Sequence, residues 1–176
     1  HIEPGNRKTI TAFKGLTTAV TNAKGQTSTI IKNERGEVVK TIDAQGFTTR
    51  YEYDAFGNQV RVVDPGNNTT TLWYDSRGRL KTRSDPNRGL WNYYYNTLGE
   101  LTNQDDAKRV RTSFFYDTLG RLKQRSAPDG TDIWNYDSAT NGIGKPDFAM
   151  RESMFESYSY DALGRLASTT ANISGE

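Results

Sequence analysis

A seven-residue pattern, Tyr-Asp-x-x-Gly-x-Leu, returns along this chain and sets the first constraint on its fold. Three copies are complete: Tyr74-Asp75-Ser76-Arg77-Gly78-Arg79-Leu80, Tyr116-Asp117-Thr118-Leu119-Gly120-Arg121-Leu122 and Tyr160-Asp161-Ala162-Leu163-Gly164-Arg165-Leu166. Tyr95-Asn96-Thr97-Leu98-Gly99-Glu100-Leu101 replaces Asp by Asn, and Tyr53-Asp54-Ala55-Phe56-Gly57 lacks the leucine. Gly15 and Gly36 hold the same place without the Tyr-Asp pair, and from Gly15 to Gly120 successive glycines lie 21 residues apart. Self-similarity at a fixed period means a repeat architecture, here of about seven to eight units over 1–176. A function shared by similar units is a surface or a container more readily than a reaction centre.

Each unit reads as two strands and two turns. Thr70-Thr71-Leu72-Trp73-Tyr74 is β-branched and aromatic, which suits a pleated, half-buried surface. Ser76-Arg77-Gly78 fits a three-residue hairpin loop closed by Gly in the left-handed region. That loop sets the register. Asp75 falls opposite Arg79 and Tyr74 opposite Leu80, with Asp117–Arg121, Asp161–Arg165, Tyr95–Leu101, Tyr116–Leu122 and Tyr160–Leu166 paired likewise. Tyr53 meets Gln59, a weaker apolar pair. The return turns, such as Asp43-Ala44-Gln45-Gly46, Asp64-Pro65-Gly66-Asn67 and Asp85-Pro86-Asn87-Arg88-Gly89, read as less regular. Positive φ is expected in the x-x-Gly turns and not at Gly89.

The fold class expected is therefore all-β: antiparallel hairpins of 21-residue period, about fifteen strands, in a sheet that curls into a spiral because each repeat adds the same small rotation. One face carries the Tyr/Leu stripe. The other is expected to carry polar side chains, including Lys81, Arg83, Lys123 and Arg125. Between Gly120 and Gly164 the spacing is 44 residues, two more than two repeats, so an irregular repeat is expected at about 137–157. There Ser138 to Gly144 is longer than x-x-Gly, and Phe148 to Phe155 reads as a strand in preference to a helical turn.

Composition narrows the chemistry. Hydrophobic residues make up 34% of the chain but aromatics 11%, which suits broad thin sheets better than a deep core. The formal net charge of +2, with both signs interspersed, gives no footprint for nucleic acid. No apolar run approaches the ~20 residues of a membrane-spanning helix. There is no Cys, and His1 is the only His, so neither a Ser-His-Asp arrangement nor a His-based metal site is expected. No phosphate loop or dinucleotide fingerprint occurs, and no cofactor is expected. The many aspartates sit where turns want Asp. Asp105-Asp106 and Asp129-Gly130-Thr131-Asp132 offer oxygen ligands for Ca²⁺, but without the length of a calcium loop. Trp73, Trp91, Tyr94 and Trp134, with Tyr51 and Tyr93, are candidates for stacking a sugar or peptide, against the plainer reading that they pack the sheet. Trp73 and Tyr94 stand one position off the Tyr/Leu stripe and should face away from it.

The Tyr-Asp-x-x-Gly-Arg-Leu copies, their 21-residue period and the Asp-Pro return turns resemble the YD or RHS repeat family over about residues 10–170. Asn141-Gly142-Ile143-Gly144-Lys145 is similar to a loop variant of bacterial members. That family includes the B and C components of bacterial toxin complexes, Rhs polymorphic toxins and teneurins. The resemblance implies a spiral sheet that closes into a hollow shell around a toxin. It implies a non-catalytic structural segment of a large secreted or cell-surface bacterial protein. Its partners would be the other repeats and domains of a longer chain, and an encapsulated C-terminal toxin. The alternative is an adhesion module that binds carbohydrate or protein through exposed aromatics. The family's core-associated motif has no match after Gly164, and eight repeats are too few to close such a shell. The expectation is thus an open, curved piece of wall, a segment of something longer, whose edge strands invite self-association. In a bacterial protein the sequons at Asn67, Asn68 and Asn172 carry little meaning.

Overall fold

The computed structural model describes residues 9–173; His1 and the final three residues lie outside them. The described residues form sixteen strands and no helix, and so no helix long and apolar enough to cross a membrane. The chain divides into two units, one running to Leu90 and one starting at Trp91. The first contains β1 (Ile10–Lys14), β2 (Thr17–Thr21), β3 (Thr27–Lys32), β4 (Val38–Ile42), β5 (Thr48–Tyr53), β6 (Gln59–Val63), β7 (Thr69–Tyr74) and β8 (Leu80–Asp85). The division falls inside β9 (Gly89–Tyr95), and the second unit continues with β10 (Leu101–Asp105), β11 (Arg111–Tyr116), β12 (Leu122–Ala127), β13 (Gly130–Tyr136), β14 (Pro146–Arg151), β15 (Met154–Tyr160) and β16 (Leu166–Ile173). Within each unit every strand pairs antiparallel with the next in sequence, as a meander of hairpins.

One turn explains most of the others. Asp75 donates its N–H to the Arg79 carbonyl at 2.9 Å, and the Gly78 N–H returns to the Asp75 carbonyl at 3.0 Å. Asp75 Oδ1 accepts from the backbone N–H of Arg77 and of Arg79, at 2.9 and 3.0 Å. Gly78 sits at φ 75°, where a Cβ would be strained. Tyr74 therefore lies opposite Leu80, as the loop length requires. Tyr95–Leu101, Tyr116–Leu122, Tyr160–Leu166 and Tyr53–Gln59 are paired in the same way.

The return turns correct the reading that they are less regular. Asn22, Asp43, Asp64 and Asp106 close with the same pair of backbone bonds as Asp75. The left-handed residue is Gly25, Gly46, Asn67 or Arg109, so Gly66 in Asp64-Pro65-Gly66-Asn67 is not the positive-φ position. Gly89 also has φ 71°, contrary to the expectation that it escapes the left-handed region. It ends a turn in which Asp85 Oδ1 accepts from the N–H groups of Asn87 and Arg88.

The two edges differ in one respect. After each Tyr-Asp-x-x-Gly loop the ladder skips a residue: Tyr74 meets Leu80 but Trp73 meets Thr82. The skip recurs beside Tyr53, Tyr95, Tyr116, Tyr136 and Tyr160. These are β-bulges, which sharpen local twist and set the strand beyond them one residue out of phase. A one-residue slip moves side chains to the other face. Arg83 consequently pairs with Leu72 and Arg125 with Phe114, both on the tyrosine face and not on the polar face as expected. Lys81 and Lys123 are the skipped residues.

The long interval after Gly120 resolves into three small edits. Pro128-Asp129 and Glu152-Ser153 make two-residue return turns, each shortening its repeat by one. The loop opened by Asp137 closes on the Lys145 carbonyl at 3.0 Å, four residues later than usual. Both flanking segments, β14 and β15, are strands. No hydrophobic side chain among the described residues is buried, and Thr112 is the only buried polar one.

Because both kinds of turn use a left-handed glycine, Gly78→Val and Gly89→Val should each destabilise by roughly 1–3 kcal/mol. Urea denaturation checks this; a neutral Gly89→Val would contradict the turn geometry.

Candidate functional site

The residues that recur are held together across repeats by the tyrosine hydroxyl. Tyr53 Oη donates to the Val38 carbonyl at 2.9 Å, Tyr74 to Gln59 at 3.0 Å and Tyr116 to Leu101 at 3.0 Å. Tyr136 reaches the Leu122 carbonyl at 2.9 Å and Tyr160 the Pro146 carbonyl at 2.8 Å. Each acceptor is the first strand residue after the preceding hairpin loop, where the bulge disrupts the ladder. The ring thus covers a weak point of one repeat from the next. Burial pushes the hydroxyl pKa of Tyr53, Tyr74 and Tyr116 up, so at neutral pH all three keep the proton they donate.

The hairpin edge is charged and cross-linked. Asp75, Asp117 and Asp161 each hold the arginine four residues on at 2.7, 2.7 and 2.8 Å. Arg121 also grips Asp137 of the next hairpin and lies 4.4 Å from the centre of the Tyr136 ring. Arg35 donates to the Ala55 carbonyl of the next tip at 3.1 Å. Between the tips at Asp54 and Asp75 lies an open cleft of about 590 Å³, lined by Phe56, Asn58, Tyr74 and Arg77. Phe56, Leu98, Leu119 and Leu163, the middle residues of their three-residue loops, are all strongly exposed.

The carboxylates are ionised turn-formers. Two backbone N–H groups, from Asn87 and Arg88, hold the Asp85 carboxyl down to about 2. Hydrogen bonds from the Arg121 side chain and the Gly144 N–H take Asp137 to about 2 as well. Asp75, Asp117 and Asp161 are lowered mainly by the N–H of the residue four positions on. No aspartate among these is pushed upward toward the range of a general acid.

The four aromatics singled out for stacking do not form one surface. Trp73 alternates with Tyr74 and lies half exposed on the opposite face of β7. In the second unit Trp91 and Trp134 share the face of Tyr95 and Tyr136 and are half-buried. Tyr94 lies on the other face, and its hydroxyl donates to Asp105 at 3.1 Å with Arg111 5.3 Å from its ring centre. The oxygen clusters considered for calcium are engaged by cations or by their own turns. Arg111 binds Asp105 through two bonds, at 2.7 and 2.9 Å. Asp106 accepts from its turn N–H groups. Asp129 and Asp132 share Arg125 and Arg151. Among the described residues no group of three His, Cys, Asp or Glu could hold a metal ion.

A repeat of two strands, stapled by a tyrosine to its neighbour, is a specific signature, and the family model for the RHS repeat matches residues 33–69 and 95–132. Those two segments are RHS repeats. This RHS chain is similar in fold to the solved TcdB2–TccC3 complex, with a TM-score of 0.74 and 16% identity over 94% of its length. It is similar to the same complex without its hypervariable C-terminal region, with a TM-score of 0.73 and 16% identity over 96%. The Tc holotoxin pore of Photorhabdus luminescens gives a TM-score of 0.72 at 16% identity over 94%. The RHS chain covers only 10–11% of the length of those chains. No curated protein matches it.

Sequence spacing located the tyrosines but missed their acceptors, since a backbone carbonyl beside a bulge leaves no residue-type signal. Removing one such contact, as in Tyr116→Phe, should cost about 1 kcal/mol or somewhat more. Tyr51→Phe, which loses only a 3.4 Å contact to Thr41, should cost less. Chemical denaturation of the two variants gives the comparison.

Acid should also be selective. Carboxylates lowered in the folded state stabilise it above their ordinary value of 3.8, and that stability fades as pH falls toward about 2. The melting temperature should therefore be flat near neutrality and drop between those two values, with a shallower drop in Asp137→Asn.

Proposed function

We propose that this RHS chain is a non-catalytic wall segment of a shell, part of a large secreted or cell-surface bacterial protein, and that the shell encloses a toxin or other cargo. The observation that carries this reading is a repeating sheet with no buried hydrophobic side chain among the described residues, whose strands contact only their sheet neighbours within each unit. Such a sheet gains stability by length, as stacked repeats do, and its natural product is area. Its fold likeness to the TcdB2–TccC3 complex supports the same reading. The mechanism is steric. A ladder interrupted only at its bulges, where tyrosine hydroxyls cover it, leaves little backbone for a protease to draw into an extended conformation.

The partners on this reading are the other repeats and domains of the longer chain, and the cargo itself. Where an edge strand is not continued, pairing with a second copy is the expected consequence of its unpaired N–H and C=O groups.

Electron cryomicroscopy of the full-length parent protein tests the proposal. The expected particle is hollow, with residues 9–173 in its wall and one face of the sheet turned to the cavity. A rod or flat array with both faces in bulk solvent rejects it. So does a cargo segment digested as fast in the intact particle as after acid unfolding.

A further inference from the structure

We propose that the first unit carries a carbohydrate subsite centred on Trp73, shaped for one neutral pyranose ring. The register builds it. Glu52 lies opposite Arg61, and Arg61 opposite Thr71, so three neighbouring strands put these side chains on one face. Trp73 stands two residues beyond Thr71 on that same face, next to the bulge residue Val60. Together they line a cleft of about 410 Å³.

The hooked tyrosines and Tyr94 have structural work. The repeat tyrosines are hooked to carbonyls, and Tyr94 is taken up by Asp105 and Arg111. Trp73 instead presents an indole that is 50% exposed on the polar side of the sheet. Beside it, Arg61 Nη1 meets Glu52 Oε1 at 2.8 Å, with both side chains about half exposed. That pair uses one N–H and one oxygen, and the half-exposed carboxylate and guanidinium have further lone pairs and N–H donors to offer.

The combination selects a chemistry. A pyranose has an apolar C–H face and a rim of hydroxyls that both donate and accept. The indole supplies a flat partner for the face. Glu52 accepts from the rim, and Arg61 and Thr71 Oγ1 donate to it. Because Glu52 neutralises Arg61 and Asp54 adds a further negative charge at the same cleft, the site has no preference for a sulfated or carboxylated sugar. A lone indole ringed by charges is also too small an apolar surface for a protein hot spot, which needs a desolvated centre. The subsite does not rest on the shell reading, since an inner or an outer wall could carry it.

The test is a titration of the full chain with maltohexaose, chitohexaose and laminarihexaose, and with a heparin hexasaccharide as the anionic comparison, followed by isothermal titration calorimetry, which reads binding whether or not the indole is present. A saturable change with at least one neutral oligosaccharide is expected. Trp73→Ala should weaken it at least tenfold while the far-ultraviolet circular dichroism stays unchanged, and Trp73→Phe should restore part of the affinity. Glu52→Gln should weaken it severalfold. The proposal is overturned by no saturable response to any neutral hexasaccharide, by binding confined to heparin, or by undiminished binding in a folded Trp73→Ala.

Discussion

The hydroxyl of one repeat's tyrosine, bonded to a carbonyl of the repeat before it, is the contact on which the rest depends. A β-bulge gives each hairpin its local twist, and it does so by breaking the ladder. An acceptor left open in a core would be expensive. Here there is no core to hide it in, and the ring that arrives from the next repeat both shields it and supplies the donor, as for Tyr53 on Val38 and Tyr116 on Leu101. Twist and cohesion are therefore bound together: a repeat bends only where its successor can mend the break.

This explains how a chain with so few aliphatics holds a fold. In a layered domain the apolar interior carries the stability. In each unit of this one, strands touch only their sheet neighbours, and no hydrophobic side chain among the described residues is fully buried. Stability is then a sum of similar local terms. The turns add their own: a carboxylate or amide oxygen taking backbone N–H groups, as at Asp43 and Asp106, and, where position five is polar, a side-chain bond to it from position one. The residue types at those positions are complementary. Asp takes a donor, as in Asp54–Asn58, Asp64–Asn68 and Asp161–Arg165. Asn takes an acceptor, as in Asn22–Gln26, Asn33–Glu37 and Asn96–Glu100.

Much of this was legible in the sequence. The period, the three-residue loop, the Tyr–Leu register and the ion pairs followed from spacing and from the left-handed glycine. The kinship of the two edges was legible too, in Asn or Asp recurring at 22, 33, 43, 54, 64, 75, 85, 96 and 106 by alternating steps of eleven and ten. Pro65 and Pro86 disguised it by suggesting a different turn. The bulge was not legible. It follows from a backbone skip that no residue type announces, and missing it put Arg83 and Arg125 on the wrong face. The surroundings of Trp73 were hidden for a related reason, since Glu52, Arg61 and Thr71 are remote from it in pattern and are assembled only by pairing.

The loop at 137–145 shows what the repeat does and does not require. It holds four extra residues, yet Asp137 still bonds the residue that closes it, and Asp137 Oδ1 still takes a loop N–H, now that of Gly144. Arg121 fixes Asp137 from the preceding hairpin, and Lys145 lies 5.0 Å from the ring centre of Tyr160 in the following one. The Tyr160 hydroxyl still reaches the first residue of the strand after the loop, Pro146. Only the endpoints of a hairpin are constrained by the sheet, because only they enter the ladder and meet the next tyrosine. Length inside the loop is free, and the two shortened return turns beside it show the same tolerance on the other edge. A sheet built this way accepts loops of different length at its edges without disturbing the register of its strands.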